Sequence, residues 1–277
     1  MTKRLTEAQV AQYRRDGFYG PVGTFSQQEA RQMRDSLEEF ENGLVEKPVS
    51  RKHRRKLHVL LPWARNIVED PRIVDAIEDI IGPDILVFTS TFFIKEPNSE
   101  SFTAWHQDGT YFGLEPFEHV TAWVAFSNAS REAGCMEFVR GSQKRGQVVH
   151  EIKMDAVHNL NNMGQHIPEA YDASQVALCP LEPGEFSLHH THVIHSSAPN
   201  NSNDRRIGFG ISYIPAHVFK RGTRASATLV RGRDHDGHFD LEPDPRTMSK
   251  DAAIAAHDAA YNRFRKNYQE LQRQAAA

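Results

Sequence analysis

At 277 residues, 39% hydrophobic and 25% charged, the chain has the balance of a globular protein able to bury a sizeable core. A mean hydropathy of -0.58, with no run of 18 or more uncharged apolar residues, leaves nothing to cross a bilayer as a helix. The formal charge of -3, from 33 basic and 36 acidic residues, creates no global field for nucleic acid, so none is expected as a partner.

The first residues, Met1 to Gln9, carry no apolar stretch of the secretory kind, and a cytoplasmic protein is expected. Thr6-x-x-Gln9 and Ser26-x-x-Glu29 both fit the capping box, in which a hydroxyl and the side chain three residues on satisfy backbone N–H groups that a helix start leaves orphaned. The first predicts a helix ending at Gly17; the second opens one with Ala30, Met33, Leu37 and Phe40 on one face. Ser50 to Lys56 is a compact basic run ahead of the apolar stretch Leu57 to Trp63. Pro71 then opens a third helix, with Ile73, Ile77, Ile80 and Ile81 facing one way and Gly82-Pro83 as its stop.

From Ile85 the texture changes to short β-branched and aromatic runs: Ile85 to Ile94, Val120 to Phe126, Met136 to Val139, Gln147 to Ile152, Val176 to Leu178, Phe186 to Ile194 and Arg206 to Ile214. Without helix-length crossovers between most of them, they predict an antiparallel sandwich or barrel. Ser249 to Gln274 returns to helical spacing, with Ile254, His257, Tyr261, Phe264, Tyr268 and Leu271 on one face. The expected organisation is a single domain: a helical wrap over 1–84, a β core over 85–215, and a loop and amphipathic helix over 216–277. That last helix either covers the barrel or pairs with a second copy, so monomer and homodimer both stay open.

Two cysteines, Cys135 and Cys179, lie too far apart for a metal or redox motif and are expected as buried thiols. The 15 histidines carry more information, because imidazole is the commonest metal ligand. His106-x-Asp108 can direct an imidazole and a carboxylate to one side of an extended segment, although such a dyad is common by accident. His195 supplies a third ligand near the end of the β region, and two His with one carboxylate make the facial set that holds non-haem Fe(II) with open positions. Arg206, eleven residues beyond His195, offers a planar bidentate donor for the far carboxylate of a chelating 2-oxo acid, supported by the Ser197 hydroxyl. His189, His190 and His192 lack this pattern and are expected in supporting contacts, His190 foremost.

The stretch Trp105-His106-Gln107-Asp108-x-x-Tyr111-Phe112, followed by Ala122-Trp123-Val124-Ala125, Gly134-Cys135-Met136, Gly141-Ser142-Gln143-Lys144, Pro183-Gly184-Glu185 and His195-x-Ser197 with Arg206, resembles the phytanoyl-CoA dioxygenase family of Fe(II)/2-oxoglutarate oxygenases. The resemblance runs from about Leu57 to Ile214. It implies a double-stranded β-helix, a cupin-like jelly roll, with Fe(II) held by His106, Asp108 and His195. It also implies that Arg206 and Ser197 bind the 2-oxoglutarate C5 carboxylate and that Trp123 lines the cosubstrate pocket. O2 is then the second cosubstrate, and succinate and CO2 are released as an unactivated carbon is hydroxylated. In the family's halogenases the carboxylate ligand is Ala or Gly, so Asp108 argues for hydroxylation or a related oxidation such as desaturation. Ser196 and Gln143 depart from the family's usual Gly and His at those places and leave the subfamily open.

The barrel accepts many substrates by loop variation. The expected one is a small polar metabolite, and the basic run tilts it toward an anion. Lys56, His58, Tyr111 and Phe112 are the candidate substrate contacts, and Gln143 to Ser174 is a candidate lid; Arg224, Arg231 and Arg233 with Asp234 to His238 read as a polar loop, with a second lip of the pocket as the alternative. A cupin-like binding protein without oxidative chemistry is the alternative from another class.

Overall fold

The computed structural model describes residues 3–45, 49–152, 158–160, 165–168 and 171–275. Both capping boxes form: Thr6 accepts from the Gln9 N–H and Ser26 from the Glu29 N–H, and each Gln9 and Glu29 side chain returns to its cap's backbone. They open α1 (Glu7–Asp16) and α2 (Gln27–Asn42), with β1 (Phe18–Gly23) between them. Gly17 ends α1 at φ 85°, a left-handed conformation that glycine adopts without a Cβ clash. α3 (Pro62–Val68) is too short for its periodicity to be read in the sequence, and α4 (Pro71–Ile81) is capped by Asp70 and stopped at Gly82.

The β region then runs β2 (Ile85–Lys95), β3 (Thr103–His106), a single turn α5 (Gly109–Phe112), β4 (Leu114–Glu115), β5 (Val120–Ala125), β6 (Met136–Val139), β7 (Glu151–Ile152), β8 (Gln165–His166), β9 (Val176–Cys179), β10 (Glu185–His190), β11 (His195–Ser197), β12 (Arg206–Pro215), β13 (Phe219–Lys220), β14 (Ser226–Arg231) and β15 (Asp240–Leu241). α6 (Lys250–Ala275) follows. The larger sheet has the order β1-β10-β5-β12-β2-β14-β15 and the smaller β3-β11-β6-β9. All pairings in them are antiparallel except β14 with β15, which gives the two facing sheets of a jelly roll. Where a single strand was expected over Phe186 to Ile194, the chain leaves the larger sheet after His190 and enters the smaller one at His195, turning through Thr191 and His192. The strand expected over Gln147 to Ile152 shortens to β7.

Strand alternation assigns the two faces of the larger sheet opposite duties. On one face Val124, Phe186, Leu188, Ile207, Phe209, Ile211, Tyr213, Val87 and Phe92 form a single apolar core with Leu37, Val68, Ile73 and Ile77 of the N-terminal helices. On the other, paired positions bring Thr121 opposite His189 and Ser212, Trp123 opposite Gly210, and Arg206 opposite Lys95. The helices supply the burial that anchors the sheet, which leaves the barrel interior available for polar groups. α6 lies across the barrel through Ala253, His257, Ala260 and Phe264, all buried. No helix among the described residues is long and apolar enough to cross a membrane.

Candidate metal centre

β3 and β11 are neighbours in the smaller sheet, and their register places His106 directly opposite His195. Asp108 follows where the chain leaves β3 and turns into α5. One ligand atom from each of His106, Asp108 and His195 lies within 4.8 Å of the other two. The Nε2 atoms of His106 and His195 stand 3.7 and 3.9 Å from Asp108 Oδ1. Each imidazole is turned by its own backbone: Nδ1 of His106 donates to the Ala104 carbonyl at 2.8 Å, and Nδ1 of His195 to the Val193 carbonyl at 3.0 Å. A neutral ring protonated at Nδ1 presents an unprotonated Nε2, and both face the carboxylate. Burial, and then the nearness of His106, push His195 well below the usual imidazole range, which keeps that nitrogen free of a proton.

The other carboxylate oxygen is held from behind. Asp108 Oδ2 accepts from the Thr121 hydroxyl at 3.2 Å and lies 3.3 Å from His189 Nε2. Thr121 in turn accepts from His119, and His119 from Thr191, each at 3.0 Å. Burial pushes His119 down to about 3, so the ring is neutral and donates through one nitrogen while accepting through the other. Burial alone would raise Asp108, but its polar surroundings outweigh it and hold the carboxyl well below its ordinary range. The donor set therefore suits a divalent cation: two neutral nitrogens and one ionised oxygen converge, with their outer atoms engaged elsewhere.

Arg206 begins β12, 1% exposed, with its guanidinium 5.2 Å from the Trp123 ring. Its Nε and Nη2 have no hydrogen-bond partner among the described residues, although burial lowers its pKa only to about 10. A buried cation with idle donors fits an anion such as the far carboxylate of 2-oxoglutarate. Trp123 reaches this position because residue 208 is glycine: a Cβ there would come within 1.7 Å of the indole. Ser197 lies alongside, accepting at Oγ from Lys95 Nζ at 2.7 Å, which leaves its own hydroxyl proton to donate.

These groups line one cavity, with about 850 Å³ of empty space including its opening to solvent. Its apolar wall is made by Phe93, Phe112, Trp123, Met136, Leu160 and Phe264, and it also contains Arg55. Two expected contacts are elsewhere. Lys56 and His58 are fully buried away from the cavity: Lys56 pairs with Glu242, and His58 lies between Glu242 Oε2 at 3.2 Å and Ser90 Oγ at 2.6 Å. Phe112 is in the wall, whereas the Tyr111 side chain lies outside the described residues. Arg224 and Arg231 are engaged by Asp240 and by Asp75 and Glu78, and no residue of 224–238 lines the cavity. The candidate lid lies partly outside the described residues; of those described in it, Leu160 reaches the cavity.

His189 supports Asp108, where His190 was expected. On β10 only alternate side chains face inward, and pairing with Thr121 selects His189. That parity is a property of the sheet and is invisible in the string His189-His190. Lys95 was likewise missed, for it belongs to no motif, and Arg55 was noted only as part of the basic run, of which Lys56 was singled out instead.

The chain is 28% identical over 173 residues to the phytanoyl-CoA dioxygenase domain-containing protein 1 homolog of Caenorhabditis elegans, covering 60% of this chain and 57% of that protein. It is 26% identical over 201 residues to a probable alpha-ketoglutarate-dependent hypophosphite dioxygenase of Stutzerimonas stutzeri, covering 72% of this chain and 67% of that one. Against the first of these relatives, and others of its kind, the matched region spans a little over half of the relative's length, 55–57%. The solved structure of the non-heme monooxygenase ThoJ in its apo form is similar over 96% of this chain and 99% of that chain, with a TM-score of 0.87 and 30% identity. The profile of the phytanoyl-CoA dioxygenase (PhyH) family matches residues 13–208, and the chain belongs to that family.

Proposed function

We propose that the protein is an Fe(II)/2-oxoglutarate-dependent oxygenase that hydroxylates an unactivated carbon of a small metabolite, releasing succinate and CO2. The observation that carries this reading is the conjunction in one cavity of the convergent His106, Asp108 and His195 ligand atoms with the idle Arg206 donors. A binding protein has no need of both. His106, Asp108 and His195 would hold Fe(II), and Arg206 with Ser197 would bind the cosubstrate's C5 carboxylate. When bound, the metal and cosubstrate supply the oxygen activation that no side chain can perform.

The chain's own part is geometric and electrostatic. The Ala104 and Val193 carbonyls fix the two imidazole planes, and Thr121 with His189 occupies one carboxylate oxygen so that Asp108 offers the other. Trp123 and Arg206 fix one end of the cosubstrate, and Phe93, Phe112, Met136 and Leu160 present an apolar wall that excludes water from the reacting carbon. No side chain has to act as nucleophile or general base.

The test is anaerobic addition of Fe(II) and then 2-oxoglutarate, followed by the visible metal-to-ligand charge-transfer absorbance of the chelate. The band is expected in the wild type, absent in His106→Ala, and displaced to much higher cosubstrate concentration in Arg206→Ala. Absence of the band in folded, iron-loaded wild type would overturn the reading.

A further inference from the structure

The cavity over the metal ligands has a neighbour across Phe93 and Leu160. A second cavity, with about 710 Å³ of empty space including its opening to solvent, shares Arg55, Thr91, Phe93 and Leu160 with the first and adds Arg51, Arg54 and His158 to its wall. Among the described residues no Asp or Glu lines this second cavity, and Asp108 is the one carboxylate lining the first. The basic run of the sequence thus lines a cationic cavity that adjoins, across Arg55, Thr91, Phe93 and Leu160, the one holding the candidate metal ligands.

Two of its guanidiniums are placed for recognition. Arg54 has a buried Nε with no hydrogen-bond partner among the described residues. The acids whose field it feels, Glu41 and Glu96, are both engaged by Arg205, at 2.9 and 3.0 Å. Arg55 lies 4.8 Å over the Phe264 ring, at the junction of the two cavities, and its carbonyl is held by His257 Nε2 at 2.8 Å. A solvated basic loop would leave such groups in water; here they face a cavity flanked by aromatic and aliphatic walls, where a charge-assisted hydrogen bond to an anion is strong.

We infer that Arg54 and Arg55 form a subsite for an anionic group of the substrate, a carboxylate or a phosphate. The apolar body of the same molecule passes between Phe93 and Leu160 toward His106, Asp108 and His195. The substrate class is accordingly an acid with an apolar body. This rests on the oxygenase reading for the identity of the other end, and the two are tested separately.

The probes are octanoate, octyl phosphate and 1-octanol, titrated calorimetrically into anaerobic protein saturated with Fe(II) and 2-oxoglutarate, so that Arg206 is already occupied. An acid is expected to bind at least tenfold more tightly than the alcohol. Arg54→Gln and Arg55→Gln should each remove most of that difference, and Arg55→Lys should restore part of it, with cosubstrate binding unchanged in all three. The ratio of octanoate to octyl phosphate affinities identifies which acid the subsite prefers. Equal affinity for acid and alcohol, no acid binding to protein that still binds 2-oxoglutarate, or wild-type affinities in both glutamine variants would each overturn the inference. Loss of the charge-transfer band with acid binding intact would overturn the oxygenase reading and leave the subsite standing.

Discussion

Arg206 carries a desolvation cost that the Trp123 ring offsets only in part, since Nε and Nη2 lack acceptors among the described residues in a site that is 1% exposed. That makes its exact shape important as well as its charge. Arg206→Lys keeps a cation but loses the planar fork, and 2-oxoglutarate affinity should fall by roughly tenfold or more, the effect of losing one hydrogen bond to a charged group. Gly208→Ala should have a similar effect without touching a polar atom, because its Cβ would meet Trp123 at 1.7 Å and force the indole from beneath the guanidinium. In both variants Fe(II) affinity, measured by equilibrium dialysis, should stay within about twofold, since the ligands sit on other strands; a parallel loss of iron would show that the two halves of the site are not separable. The candidate ligands could be picked out in the sequence because His106 and Asp108 are two residues apart and His195 leads a His-x-Ser turn. His189 was not, because its role depends on which face of β10 it occupies.

At the scale of elements, the segment carrying Arg55 is fastened to the barrel by a buried ion pair. Lys56 adopts a left-handed backbone at φ 54°, and its ammonium reaches Glu242, just beyond β15. Glu242 also accepts from Ser226 at 2.7 Å and from Thr228 at 2.8 Å, and its Oε2 lies 3.2 Å from His58. A basic run in a sequence gives no sign of which member turns inward, and a partner 186 residues away gives none either, so Lys56 and not Arg55 was singled out from the run as a substrate contact. Burial alone would raise Glu242, but Lys56 and His58 outweigh it and hold the carboxyl far below its usual range, while burial lowers His58. In the unfolded chain both groups bind protons at higher pH than in the fold, so stability falls on acidification, through His58 below about pH 6.5 and through Glu242 below about pH 4.5. Glu242→Gln leaves Lys56 buried without its counter-charge and should cost roughly 3–5 kcal/mol at pH 7. The deficit should narrow below pH 4.5, where only the wild type still loses stability through this group. Urea midpoints measured from pH 7 to pH 3 check this, and a deficit constant over that range would contradict the assignment.

For the molecule as a whole, the β core and its helical flanks were legible because the periodicity changes at Ile85 and again near Ser249, but their arrangement around the cavity was not. The candidate metal ligands and Arg206 come from β3, the turn after it, β11 and β12, whereas Arg55 and Phe264 of α6 add to the cavity wall from distant parts of the chain. α6 also supplies the buried His257 that holds the Arg55 carbonyl. Two poles built from distant parts of the chain should respond independently to substitution. Phe264→Ala removes an aromatic wall and the surface beneath the Arg55 guanidinium, and His257→Ala removes the backbone anchor. Both variants should keep the charge-transfer band and its dependence on 2-oxoglutarate. Both should lose affinity for acidic probes, Phe264→Ala also for the neutral alcohol because it alone removes apolar contact area. A fold held together only by α6 would behave otherwise: both variants would then lose iron, cosubstrate and probe binding in step with thermal stability, and the division of the cavity into a metal pole and a substrate pole would fail.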